Sequence, residues 1–158
     1  MDGAIITVAL NLSSNGLSGL LNNRIGDLAS LEVLDLSDND IKGSLPGDLG
    51  NLTALKTLRL SYNAFIGTTP IELGHLHNLQ LVHLHGNRLT GEMPHLNFKT
   101  LENVSSFITD CGVPSDFIDP FSCPECTMCC NSVGKILHSL LLSIKSLCVL
   151  LKISCFNI

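Results

Sequence analysis

Five cysteines lie within twenty residues of one another, and thiols at this spacing could do three kinds of chemistry. They could cross-link the chain as disulfides, hold a zinc ion as thiolates, or act as a redox pair at Cys123-x-x-Cys126. The spacing is too tight for the usual two-knuckle zinc site, and no strand–helix–strand pattern surrounds the redox pair. Structural disulfides are therefore the favoured interpretation, with the other two left open. The cysteines concerned are Cys111, Cys123, Cys126, Cys129 and Cys130.

Two histidines form the second group whose spacing suggests chemistry. His83 and His85 alternate along one predicted strand, so their imidazoles share a face and could chelate a metal or respond to pH. No carboxylate of the same coil completes a ligand set, so we predict neither a metal nor a cofactor. No nucleophile–base pair with an oxyanion donor is recognisable, and no glycine-rich phosphate loop follows a strand. The sequence therefore predicts a protein that is not an enzyme.

The elements that position these residues come from an internal repeat of about 24 residues, seen in the recurrence of Leu10, Leu34 and Leu58. Its L-x-L leucines project to one face of an extended strand, and one coil cannot bury them alone, so the coils are expected to stack. Glycine and proline on the return leave no room for a long helix. A recurring asparagine after each strand can bond to backbone groups of neighbouring coils, which predicts a ladder of Asn15, Asn39, Asn63 and Asn87.

These rows resemble the leucine-rich repeat, and Leu89-Thr90-Gly91-Glu92-Met93-Pro94 resembles the L-x-G-x-x-P element of its plant-type subclass. The resemblance covers roughly residues 5–110. It implies an α/β-type repeat solenoid, a horseshoe with a parallel concave sheet and about four repeats, closed by a C-terminal cysteine cap. The cysteine segment is similar to the ending of leucine-rich repeat surface proteins from diatoms and related algae. Plant-type ectodomains begin with a cysteine-bearing cap, and residues 2–8 resemble a first repeat without it, which indicates a truncated start.

Charge and hydropathy divide the chain into a solenoid (1–110), a cysteine-rich cap (111–132) and an apolar basic tail (133–158). The tail is long enough for a membrane span of ~20 residues, but the central Lys145 favours a helix lying at the membrane surface. A packed capping helix and a gene-prediction artefact remain alternatives. A net charge of −5 excludes nucleic acid as the expected partner.

The predicted concave face carries side chains that point to solvent between the strand leucines, on rungs ~4.8 Å apart. Glu32 beside Lys56 and Asp35 beside Arg59 form opposite-charge pairs, which contribute only ~0–1 kcal/mol when exposed. Tyr62 is the expected anchor, because tyrosine and arginine dominate binding hot spots. The predicted binding residues are Glu32, Asp35, Lys56, Arg59, Tyr62, Gln80, His83 and His85.

The predicted function is non-catalytic recognition of a protein, peptide or glycan by a receptor-like or secreted surface protein, or a fragment of one. The alternatives are a secreted inhibitor of a cell-wall-degrading enzyme and the ligand-binding fragment of a leucine-rich repeat receptor kinase. The expected location is extracellular or at the cell surface, with membrane contact through residues 133–158, although no export signal opens the chain. Asn51, in the convex triplet Asn51-Leu52-Thr53, is the expected glycosylation site.

Overall fold

The computed structural model describes residues 6–96, 106–110, 121–122, 128–130 and 136–137, and its strands form two sheets. The concave sheet takes one strand from each successive coil, and its seven strands are ordered β1-β3-β5-β7-β9-β11-β12. With strands numbered in chain order, these are β1 Ala9–Asn11, β3 Val33–Asp35, β5 Thr57–Arg59, β7 Leu81–His83, β9 Ser106–Asp110, β11 Met128–Cys130 and β12 Ile136–Leu137.

The concave sheet is parallel and in the predicted register over its first four rungs. Leu10 pairs with Leu34, Leu34 with Leu58, and Leu58 with Val82, so each step equals the sequence repeat. The next step is slightly longer, because Val82 pairs with Phe107. Strand β11 continues the parallel sheet and β12 ends it antiparallel. The repeat solenoid with a parallel concave sheet is therefore confirmed.

A second parallel sheet lies on the return of each coil, where the sequence predicted only an extended segment. Its strands are ordered β10-β8-β6-β4-β2 and comprise β2 Ser18–Leu20, β4 Asp40–Gly43, β6 Ala64–Thr68, β8 Arg88–Glu92 and β10 Phe121–Ser122. Its register steps are shorter than those of the concave sheet, with Gly19 opposite Ile41 and Gly67 opposite Leu89. Short strands around a glycine show no period-two apolar pattern, so the sequence did not predict this sheet.

Within the described residues, the convex side carries three short 3₁₀ helices, which agrees with the prediction that the return has no room for a long helix. They span Asn23–Asp27, Gly47–Asn51 and Ile71–His75. Pro46 and Pro70, with φ of −72° and −66°, precede the last two and begin the turn without needing an N–H. No α-helix occurs in the described residues, because the return of so short a coil leaves no room for one.

The 3₁₀ turns stack closely at a column of glycines that was not predicted from the sequence. A Cβ on Gly50 would lie 2.6 Å from the Cβ of Glu72 on the next coil, and one on Gly26 would lie 2.6 Å from the carbonyl oxygen of Asp48. Gly74 follows at the same spacing, and a Cβ there would lie 3.1 Å from the carbonyl oxygen of His95. Glycine is needed here because backbone lies where a side chain would be.

The core is an aliphatic column between the sheets and the convex turns. Successive strands bury Leu34, Leu58 and Val82 completely, and Phe65 is the one aromatic side chain among the fully buried residues described. The first coil is less covered. The apolar residues that it packs against the core are only partly buried, and they comprise Leu10, Leu12, Leu17, Leu21, Ile25 and Leu28. Burial therefore increases away from the first rung, because each coil is covered by its neighbours.

The asparagine after the second, third and fourth concave strands bonds to two coils, whereas within the described residues the Asn15 side chain, after the first, bonds only to Ser13 O of its own coil. Asn63 Nδ2 donates to the carbonyls of Leu36 on the preceding coil (2.9 Å) and of Leu60 on its own coil (3.2 Å). Its Oδ1 accepts from Ile41 N–H (3.1 Å). Asn39 and Asn87 make the corresponding bonds, as with Asn87 Nδ2 to Leu60 O (2.9 Å). These amides satisfy backbone groups where the chain leaves one sheet for the other.

Part of the predicted cap and tail lies outside the described residues. Cys111, Cys123 and Cys126 are among the residues not described, and only the backbones of Cys129 and Cys130 are placed, in β11. Of the tail 133–158, only β12 is described. The disulfides and the membrane contact thus stay predictions. Within the described ranges, none of the helices has the length and apolar character needed to cross a membrane.

Candidate binding face

The concave face is built by strand alternation. Because Leu34, Leu58 and Val82 point into the core, their strand neighbours point the other way. The parallel register then places one polar row across four rungs, with each member directly beside the next. This polar row consists of Asn11, Asp35, Arg59 and His83.

Asp35 and Arg59 form an ion pair, but Asp35 is not the exposed side chain that the sequence predicted. Asp35 is only 4% exposed, and its Oδ2 accepts from Arg59 Nη1 (3.3 Å). Its Oδ1 accepts from Ser37 Oγ (2.6 Å) and Ser37 N–H (3.0 Å). Burial alone would raise the pKa of Asp35, but the Ser37 hydrogen bonds and Arg59 outweigh burial and lower it. The Asp35 carboxylate is therefore negatively charged and fixed in position beneath Arg59.

A second ion pair lies at the start of the same strands. Lys56 Nζ is 2.7 Å from Glu32 Oε2, and both side chains are nearly half exposed. Gln80 follows on the next rung and is exposed. An exposed pair of this kind contributes at most ~1 kcal/mol, so it sets the local charge more than the stability.

Tyr62 lies in the bend that follows β5, in a backbone conformation that is unfavourable for residues other than glycine. Its φ is +53°, in the left-handed region, as at Ser14, Asp38 and Gly86 in the same column. Its ring is 47% exposed and packs edge-on against His85, with centroids 4.9 Å apart and an interplanar angle of 84°. A Cβ on Gly86 would lie 2.7 Å from Tyr62 Cδ1. Because Gly86 has no side chain, there is room for the Tyr62 ring at this position.

The two histidines lie together as predicted, but they differ in exposure. Their ring centroids are 5.7 Å apart, and His85 is only 6% exposed, so it supports the surface and does not present itself to solvent. Burial lowers the pKa of His85. Burial, together with His85 and Arg59, lowers the pKa of His83 to about 4. The described residues contain no group of three His, Cys, Asp or Glu side chains suited to a metal.

An apolar row lies beside the polar row and was missed from the sequence. Val33, Thr57 and Leu81 are register partners, two residues before Asp35, Arg59 and His83 on each strand, and they are half-buried on the same face. The sequence analysis instead expected the residues one position earlier, Glu32, Lys56 and Gln80, to point outward on this face. Extending the L-x-L alternation by one step towards the N-terminus would have found the apolar row.

Two polar atoms near the middle of the face lack partners within the described residues. Arg59 Nε and His85 Nδ1 are buried without a hydrogen bond. A buried polar group left unpaired costs about 1–3 kcal/mol. Because neither atom is accessible to solvent, a bound group can reach them only if side chains of the face rearrange.

The histidines make stability depend on pH. Their folded-state pKa values lie below the ordinary 6.5, so the unfolded chain takes up protons first as the pH falls. The free energy of unfolding is expected to decrease as the pH falls below 6.5, with the His83 contribution lost down to about pH 4, by at most about 1.4 kcal/mol per pH unit for each histidine. Asp35, whose pKa is lowered, adds its own loss only below 3.8. Urea titrations of the wild type and of His83→Gln/His85→Gln test this expectation, and equal slopes in this window would contradict it.

Asn51, the predicted glycan acceptor, is exposed at the end of the convex turn Gly47–Asn51. It lies on the opposite side of the coil from the concave strands. A glycan there would leave the concave face open.

Comparison with known proteins is consistent with this geometry. Residues 29–74 match the family described as leucine rich repeats (2 copies). No curated protein matches the chain. Among solved structures, a plant peptide hormone receptor, RGFR1 in complex with RGF2, is 39% identical over 65% of this chain and 16% of its own, with a TM-score of 0.60.

Two Arabidopsis thaliana receptor ectodomains are also similar. That of the membrane receptor kinase GASSHO1/SCHENGEN3, in complex with CASPARIAN STRIP INTEGRITY FACTOR 2, is 39% identical over 65% of this chain and 12% of its own, with a TM-score of 0.60. That of the receptor kinase SOBIR1 is 28% identical over 72% of this chain and 67% of its own, with a TM-score of 0.58. The chain thus spans less than a fifth of the first two structures.

The stacked parallel coils define a leucine-rich repeat solenoid, and residues 29–74 carry the matching repeats. More particularly, the chain resembles the ectodomains of plant receptors.

Proposed function

We propose that this chain recognises a protein or peptide through its concave face, with Arg59, Tyr62 and His83 at the centre. The observation that carries the proposal is Tyr62. Its ring is half-exposed on a left-handed backbone, braced by His85 and given room by Gly86. Ser14 and Asp38 share this left-handed backbone in the same column, so what distinguishes Tyr62 is its exposed aromatic side chain, a type that dominates binding hot spots.

The similar structures support a peptide or protein as the ligand. Two of them are plant receptors, one in complex with RGF2 and the other with CASPARIAN STRIP INTEGRITY FACTOR 2. This similarity supports a location outside the cell, where the chain would be the recognition part of a receptor-like or secreted surface protein. Binding and not catalysis is its role, and a glycan at Asn51 and disulfides in the cap are compatible with that location.

Recognition would use a preformed surface. The asparagine bonds and the stacked leucines tie each coil to its neighbours, so the concave strands move little on binding. Affinity then depends on which side chains the rungs present, and Tyr62 and Arg59 are of the types that dominate hot spots.

The test uses peptides selected from a displayed random dodecapeptide library against the whole chain. We expect Tyr62→Ala combined with Arg59→Ala to weaken binding of the selected peptides at least tenfold, or about 1.4 kcal/mol. Ile71→Ala removes an exposed apolar side chain from the convex turn and should leave the affinity unchanged. Binding that survives the double substitution would place the site elsewhere.

A second variant tests whether binding needs the Tyr62 ring at its present position, since it moves the ring without removing it. Gly86→Ala should displace the Tyr62 ring and weaken the same peptides, because the new methyl group meets Cδ1. Gly67→Ala is the matched control: its φ is also positive, but nothing lies within 4 Å of a Cβ there. The measurement is peptide affinity by calorimetry for folded samples of both variants.

A further inference from the structure

The charges on the concave strands cancel one another in pairs. Within the described part of the chain, Glu32 pairs with Lys56 at 2.7 Å and Asp35 with Arg59 at 3.3 Å. Among the described residues, these concave strands therefore offer no unmatched cation. We propose that the ligand group recognised between Arg59 and Tyr62 is uncharged, an amide or hydroxyl of a peptide next to an apolar side chain, and not a carboxylate, sulfate or phosphate. This inference rests on the proposed function.

Asp35 is the residue that sets this selectivity. It is 4% exposed and fixed by two hydrogen bonds from Ser37, so it cannot swing away when a ligand approaches. An anion arriving at Arg59 would meet the buried Asp35 charge a few ångströms behind the guanidinium. Repulsion from a poorly screened carboxylate offsets the attraction of Arg59.

The neighbouring groups also disfavour an anion. Asp38 is exposed on the coil before Tyr62, where its Oδ2 accepts from Ser14 Oγ (2.7 Å). His83 and His85 are half-buried and buried, surroundings that favour neutral imidazoles. A ligand at the centre of the face is thus bordered by an exposed carboxylate on one side and by uncharged rings on the other.

What the site offers instead is hydrogen bonding beside apolar surface. The Arg59 side chain is 43% exposed, and its guanidinium can donate to the oxygen of an amide or a hydroxyl. The half-buried row of Val33, Thr57 and Leu81 and the exposed Tyr62 ring provide the apolar contact. Because rejection of a mismatched charge is a stronger filter than apolar fit, the paired Asp35 determines specificity.

The test starts from the library-selected peptides. Double-mutant cycles between Arg59→Ala and each peptide position identify the residue coupled to Arg59. With the wild-type chain, we expect this residue to be uncharged, and its replacement by Asp or Glu to weaken binding at least tenfold. With Asp35→Asn, which leaves Arg59 unmatched, the acidic peptide should gain at least tenfold relative to the uncharged one.

Controls keep the outcomes distinct. Asp27→Asn removes the same charge from an exposed convex ion pair and should preserve the wild-type preference. Selected peptides that bind the wild type with an acidic residue coupled to Arg59 would overturn the inference while leaving the proposed function standing. Peptide binding insensitive to Tyr62→Ala, or capture of neutral glycans alone on a glycan array, would overturn both. If Asp35→Asn does not fold, the inference is tested by the wild-type chain alone, through its preference for an uncharged or an acidic residue at the peptide position coupled to Arg59.

Discussion

Replacing Gly50 with alanine is expected to lower the free energy of unfolding by about 3 kcal/mol or more. Gly50 is buried in a convex turn, and a Cβ there would lie 2.6 Å from the Cβ of Glu72. The nearest atoms belong to the neighbouring coil and include its backbone, so no rotamer change relieves the clash and the two coils must separate. Overpacking costs typically 1–3 kcal/mol, and more when backbone has to shift. Urea denaturation followed by circular dichroism measures the loss.

Gly67→Ala provides the matched control for this prediction. It has a φ of +77° and open space around it, so alanine there adds only backbone strain of roughly 1–2 kcal/mol. Gly50 has the opposite combination, a crowded site without a positive φ. A Gly50→Ala chain as stable as Gly67→Ala, or more stable, would contradict the close stacking of the convex turns.

Asn63→Ala is expected to lower the free energy of unfolding by about 2–4 kcal/mol. The carbonyls that Asn63 contacts keep a second donor, since Leu36 O also accepts from Asn39 and Leu60 O from Asn87. Ile41 N–H, in contrast, loses its acceptor, Asn63 Oδ1. One buried donor without a partner costs about 1–3 kcal/mol, to which the lost amide bonds and the cavity add.

The comparison for Asn63 is Asn15, at the equivalent place in the first coil. Asn15 is exposed, and its amide donates to Ser13 O within the same coil, where water can replace it. Asn15→Ala should change stability by less than about 1 kcal/mol. Hydrogen exchange adds a local readout, because the Ile41 amide should lose protection in the Asn63 variant. Equal effects of the two substitutions would refute the inter-coil role of Asn63.

The repeat could be read from the sequence because its signals are local and recur. Leu10, Leu34 and Leu58 recur at one spacing, and a strand with alternating leucines has only one face to bury, so stacking and register follow. The pairing of Glu32 with Lys56 and of Asp35 with Arg59 followed from the same register. The second sheet and the Gly26–Gly50–Gly74 column could not be predicted in this way. Both depend on how closely the backbones of neighbouring coils approach, and the sequence of a single coil carries no pattern for that distance.

By itself, the sequence determined the class of fold, the order of the coils and the identity of the residues on each rung, since all three depend on spacing along the chain. Only the tertiary structure decided which of those residues are accessible. Asp35 and His85 were expected at the surface, but Ser37, Arg59 and Tyr62 from their own and neighbouring coils cover or bind them. The burial of a side chain, and therefore the charge that a ligand meets, depends on contacts with residues of neighbouring coils. Only folding brings those residues together.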